Sequence, residues 1–135
     1  MVLDALLASL RFRAYEDSAP VLRELRAAGI RTVVVSNWDW SLHERLAETG
    51  LALLVDGALA SAELGTAKPE RAAFAAALAV AGARPEEAWH VGDTPEADVE
   101  GARAAGIRPI LIAREGAPGA DVRTLDELIP LALPR

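Results

Sequence analysis

Three short stretches combine the residue types of a site that handles an anion and a cation together. Ser36-Asn37 ends the apolar run Val33-Val34-Val35, and Lys68-Pro69 sits in a polar loop. Gly92-Asp93 ends a second apolar run at Val91, with Asp98 five residues further on. Open α/β sheets bind ligands beyond the carboxyl ends of their strands, so groups at such places can converge on one crevice. Ser36 and Asn37 could hydrogen-bond a phosphate oxygen, helped by amides of the turn that follows. Either could equally cap the next helix. An ammonium at Lys68 could neutralise phosphate charge, and Pro69 holds it extended or in a turn. The competing reading is an exposed loop lysine.

The third stretch, Val91-Gly92-Asp93-Thr94-Pro95-Glu96-Ala97-Asp98, is the most particular. Glycine permits a tight turn at the strand end and Asp93 follows it. Thr94 can cap a helix opened by Pro95, and Asp98 lies one turn along. Two converging carboxylates, Asp93 and Asp98, suit Mg²⁺, which keeps waters and a substrate phosphate in its shell. Acidic residues in a first helical turn also favour the helix dipole without any ligand. The basic residues add a clue: of fourteen, thirteen are arginines and Lys68 is the single lysine. A lone lysine points to a position that wants a compact ammonium in place of a planar fork.

Short strand-like runs alternating with helical patterns must position these groups. Helical spacing of apolar residues predicts helices over 21–28, 41–49, 70–81 and 95–105, several closed by glycine. Short apolar, β-branched runs predict strands over 30–35, 88–91 and 107–113, and a last short helix is expected over 125–131. The alternation, with short Gly/Pro connectors, marks βαβ units. The expected fold class is α/β, a three-layer Rossmann-like parallel sheet with helices on both faces. Residues 3, 6, 7 and 10 fall on one helix face, so 1–11 is expected to be helical.

The motifs Ser36-Asn37, Lys68-Pro69 and Gly92-Asp93 with Asp98, followed by Gly101-Ala102-Arg103-Ala104-Ala105-Gly106, resemble motifs two, three and four of the haloacid dehalogenase-like hydrolase superfamily. They come in the family's order, and the similarity runs from about residue 15 to 131. The resemblance implies a phosphatase-like enzyme acting on a small phosphorylated molecule with Mg²⁺. It implies that Ser36 and Lys68 are catalytic and bind the phosphoryl group, with Asn37 beside them. Asp93 and Asp98 would be metal ligands, Asp98 alternatively orienting Lys68.

The family's first motif, Asp-x-Asp-x-Thr on the first strand, has no counterpart, because the chain contains no Asp-x-Asp pair. Its first aspartate is the nucleophile, so a chain lacking it is expected to be incomplete or inactive by itself. Two accounts compete. In the favoured one, 1–13 is an N-terminal helix, the remnant of an inserted cap domain, and 14–135 is a core lacking its first central strand. In the other, Val2-Leu3-Asp4 is a decayed first strand with Leu6 where an acid belongs. A missing strand would leave two inner edges unpaired, and the chain would close the gap by pairing them directly or assemble as a homo-oligomer through them. The alternative function is a non-catalytic phosphate-binding, metal-binding or protein-interaction domain of the same fold. A phosphoacceptor receiver fits less well, since it needs acids ending the first strand.

Composition bounds these readings. At 135 residues, 52% apolar and 25% charged, the chain is one domain's worth of globular sequence. A net charge of −6 argues against nucleic acid as a partner. No apolar run approaches the ~20 residues that span a bilayer, and Asp4 in an apolar start without basic residues argues against a signal peptide. With no cysteine, thiol chemistry is excluded and a cytoplasmic location is the default expectation. Trp38 and Trp40 would pack a loop or line a substrate mouth. His90 is expected to be packed within its strand, separate from His43, and Asp39 and Glu63 would lend negative charge near the crevice.

Overall fold

In the computed structural model, residues 5–8, 15–37, 41–113 and 118–133 are described. Five parallel strands form one sheet: β1 (Ala5–Ala8), β2 (Arg31–Ser36), β3 (Gly57–Ala60), β4 (Ala88–Gly92) and β5 (Arg108–Leu111). Their spatial order is β3-β2-β1-β4-β5, which puts β1 at the centre. Helices α1 (Tyr15–Ala27), α2 (Leu42–Thr49), α3 (Ser61–Leu64), α4 (Arg71–Ala81), α5 (Gly101–Ala104) and α6 (Leu128–Ala132) cover both faces. Residues Pro95–Glu100 form a π-type turn that runs straight into α5. This is the expected three-layer α/β architecture.

The pleat divides the core in two. On one face Leu6, Val34, Trp89, Val91 and Ile110 pack against α1, α2 and the C-terminal segment through Leu22, Leu25, Leu46 and Leu128. On the other, Leu7, Val33, Val35 and Ala88 meet α4 and α5 through Phe74, Ala77 and Ala102. Strands buried on both faces read as continuous apolar runs, which is how β2 and β4 appear in the sequence.

Residues 5–8 correct the sequence reading. They are strand, not helix. Ala5 pairs with Arg31 on one side and Ala88 on the other, and Ala8 with Val34 and Val91. All four residues are buried. Four apolar residues in a row satisfy a helix face and a doubly buried strand equally well, and the two open edges beside them decide the matter. The inner edges therefore pair neither with each other nor with a second copy; β1 fills the gap, which removes the ground for expecting assembly through them. The alternative placement of the decayed strand shifts as well. Leu6 pairs with Thr32 and Trp89 in mid-strand, away from the carboxyl edge. Residues 1–4 and 9–14 lie outside the described residues, as do Trp38, Asp39 and Trp40 with the roles expected of them.

Candidate functional site

Both strands that flank β1 deliver polar groups to the same end of the sheet. Strand β2 is carried to its last residue by Val33-Val34-Val35 and ends at Ser36, buried to 4% exposure and paired with Ala60 of β3. Asn37 follows. It does not cap α2, whose first turn is preceded by Ser41. Instead its Nδ2 donates to the Lys68 carbonyl at 3.0 Å, and the Lys68 amide donates to its Oδ1 at 2.9 Å. This reciprocal pair ties the Lys68 loop to the end of β2. The Lys68–Pro69 peptide bond is cis.

Lys68 is not a surface lysine. Its side chain and that of Asp98 are each 2% exposed, and Nζ donates to Asp98 Oδ1 at 2.6 Å. Asp98 is held from two further directions. His90 Nε2 lies 2.9 Å from the same Oδ1, and the Thr94 amide donates to Oδ2 at 3.0 Å. The Asp98 amide in turn donates to the Thr94 carbonyl at 2.8 Å. Thr94 precedes the π turn without capping it through its side chain, and its hydroxyl donates to Asp93 Oδ1 at 3.2 Å. Single π-type turns inside helices concentrate at functional sites, and this one carries the most buried carboxylate of the site.

The electrostatics follow from burial and pairing. Burial pushes the Lys68 ammonium below its ordinary pKa, against the charges of Asp98 and Asp93, which pull it up. Burial alone would raise Asp98; the hydrogen bond from His90 and the charge of Lys68 outweigh it and hold the carboxyl at about 2. Burial also keeps His90 low, opposed by its hydrogen bond to Asp98 and reinforced by the Lys68 charge. His90 is thus neutral and, because an ionised carboxylate only accepts, its proton sits on Nε2. Its Nδ1 is buried without a hydrogen-bond partner. The ring is braced edge-on by Phe74, with centroids 5.1 Å apart.

Two glycines make room for this cluster. A Cβ at Gly92 would lie 2.1 Å from Asp98 Cγ, so glycine here serves close approach of the carboxylate to the strand end. A Cβ at Gly101 would meet Phe74 and the Pro69 Cα at 2.9 Å, so α5 packs directly onto the Lys68-Pro69 loop.

Of the sequence candidates, Asn37, Lys68 and Asp98 are linked by hydrogen bonds, and the half-buried Asp93 is near enough for its charge to act on Lys68. Ser36 stands at the carboxyl end of the same sheet. Neither solvated-helix-turn nor exposed-loop readings describe Asp98 or Lys68. His90, expected to be packed, is packed and also joined to the cluster; its spacing from Asp98 carried no signal for that. His43 pairs instead with Glu63, bridging α2 and α3. Glu63 also accepts from the Ala60 amide at 3.1 Å, and these bonds, that of His43 first, lower its pKa. Among the described residues, no group of three His, Cys, Asp or Glu side chains could hold a metal ion, and no helix is long and apolar enough to cross a membrane.

Comparison with known proteins finds relatives of this sequence and of this fold. A sequence model described as haloacid dehalogenase-like hydrolase matches residues 2–106. The chain is 38% identical over 105 residues to a phosphoserine phosphatase of Thermus thermophilus, covering 77% of this chain and 42% of that protein. It is 35% identical over 102 residues to haloacid dehalogenase-like hydrolase domain-containing protein 3 of Bos taurus, covering 76% and 41%. The chain thus spans less than half the length of these curated relatives. A crystal structure of a phosphatase from Thermococcus onnurineus superposes with a TM-score of 0.81 at 32% identity, over 85% of this chain and 56% of that one.

Proposed function

The chain belongs to the haloacid dehalogenase-like hydrolase family, and from that premise we propose that its crevice is a phosphate site of the phosphatase type, taking a small phosphorylated molecule. The observation that carries this reading is the buried Lys68–Asp98 ion pair at the carboxyl edge of the sheet, with Ser36 ending β2 and Asp93 following β4, the strands to either side of β1. Burying an ion pair is expensive, and a water-screened surface pair would contribute as much to stability. A cation held in a dry crevice serves best where an anion must be gripped.

In this reading Ser36 donates its hydroxyl to a phosphoryl oxygen and Lys68 steadies the phosphoryl charge, while Asn37 holds the Lys68 backbone in place. Asp98 orients Lys68, since both its oxygens are engaged by donors. That leaves Asp93 as the described carboxylate suited to Mg²⁺, an ion that accepts one or two carboxylates and fills its shell with water and phosphate. Bound there, the ion would supply neutralisation of phosphate charge.

Hydrolysis in the family's manner requires a carboxylate beyond the first strand, and none occurs between Ala5 and Tyr15; the first acid after β1 is Glu16, inside α1. We therefore propose that this chain by itself binds phosphate and Mg²⁺ and turns over phosphate esters very slowly, because nucleophilic catalysis needs the attacking atom. The same absence favours the second reading, a non-catalytic binding domain. Calorimetry with inorganic phosphate and Mg²⁺, beside a phosphatase screen, tests both. Binding lost in Asp93→Asn without turnover is the expected result. Rapid, Mg²⁺-dependent turnover would overturn the absence of a nucleophile, and no phosphate binding at all would overturn the site.

A further inference from the structure

The cluster contains one group with no part in the reading above. His90 is 0% exposed on β4, and its ring reaches the same oxygen of Asp98 that receives the Lys68 ammonium, at 2.9 and 2.6 Å. We infer that His90 is a positioning residue for Lys68, acting through Asp98: its Nε2–H fixes the carboxylate so that the single lysine of the chain is aimed into the crevice. The inference rests on Lys68 being the phosphate-facing cation.

A carboxylate can rotate about its Cβ–Cγ bond and swap oxygens unless it is pinned on both. The amide of Thr94, just before the π turn, holds Oδ2. Oδ1 faces Lys68, whose stem has four rotatable bonds and which can pin nothing by itself. The imidazole can, because its own orientation is fixed by the strand and by the edge-on ring of Phe74. A neutral ring is also the right partner. It supplies a donor without a second positive charge beside the ammonium, and a buried hydrogen bond to a charged group is among the stronger ones. Sharing Oδ1 between two donors leaves Lys68 a smaller part of the carboxylate's charge, so the ammonium keeps hydrogens for a phosphate oxygen. The cost is visible at the far side of the ring, where Nδ1 is buried and unpartnered. A residue selected only to fill space here would have no reason to carry that lone pair.

The single lysine makes the test specific. Lys68 acetylation by an activated ester, read by peptide mass spectrometry under native conditions, reports how often the ammonium leaves its seat. His90→Phe, which keeps the ring and removes the donor, is expected to raise the rate about tenfold. His90→Gln, which restores a donor, is expected to return it near the wild-type value. Leu25→Ala, a core change on the opposite face of the sheet, is the control for stability loss alone and is expected to leave the rate unchanged. An unchanged rate in His90→Phe, or an equal rise in Leu25→Ala, would overturn the inference. Should His90→Phe fail to fold, ¹⁵N NMR of the wild-type imidazole decides: the inference requires the proton on Nε2, and a proton on Nδ1 sinks it. Inorganic phosphate binding by the wild type is measured separately. Its absence would remove the phosphate reading and leave the acetylation contrast standing.

Discussion

Strands β1 and β4 are neighbours at the centre of one sheet, both fully buried and paired on both sides, yet their carboxyl ends differ completely. β4 ends at Gly92, and beyond it come Asp93 and the π turn with Asp98, locked to Lys68 and His90. Beyond β1 the sequence continues Ser9-Leu10-Arg11-Phe12-Arg13 with no acid. The difference shows that two parts of a phosphate-handling site can be bound to the fold by very different ties. The charged cluster after β4 is also a packing element, since each member satisfies another buried group. Strand β1 holds its place through pairing and apolar burial alone, with no acid in the residues that follow it.

Substitutions at the two strand ends should separate these ties. Asp98→Ala leaves the buried Lys68 ammonium unpaired and is expected to cost about 3–5 kcal/mol in denaturant unfolding. Leu7→Ala in β1 removes a fully buried side chain and should cost about 2–5 kcal/mol while leaving phosphate binding per folded molecule as it was. A joint loss of binding would show that β1 shapes the site as well as the core. Gly92→Ala forces Asp98 off the strand end; a loss of about 1–3 kcal/mol in thermal unfolding is expected, together with faster Lys68 acetylation.

The smallest effect is on pH dependence. His90 in the folded chain lies below its ordinary 6.5, so the unfolded chain takes up the proton first as pH falls. Its contribution is fully present above pH 6.5 and is lost progressively below it, by at most about 1.4 kcal/mol per pH unit. Asp98 behaves alike in a lower window: its contribution is present above 3.8 and lost as pH falls towards about 2. Stability curves from pH 7.5 to 5 should therefore be flatter in His90→Gln than in the wild type. Parallel slopes would show that His90 is already charged in the fold.

Much of this was legible in the sequence, for reasons that differ by residue. The strands ending at Ser36 and Gly92 announce themselves because doubly buried strands are continuous apolar runs with glycine or polar residues at their ends. The meeting of Lys68 with Asp98 was legible only through the family resemblance, since Lys68 sits in a loop that strand topology alone does not place. Ala5–Ala8 is strand although residues 3, 6, 7 and 10 carry helical spacing, because the open edges of β2 and β4 outweigh that local pattern. The hydrogen bonds of His90 and Asn37 were invisible for another reason. Asn37 reaches a loop 31 residues away and His90 reaches Asp98 across a strand end and a turn, and local patterns favour the ordinary alternatives, a helix cap and a packed histidine.

The central place of β1 also orders the birth of the molecule. Its pairing with β2 spans only the α1 crossover and can form while synthesis is under way. Its other flank has no mate until the chain has been made through Gly92, because Ala5 lies against Ala88. Closing the sheet on that flank therefore waits on the pairing of strands farthest apart in sequence, Ala5 with Ala88, the kind of non-local contact that slows folding.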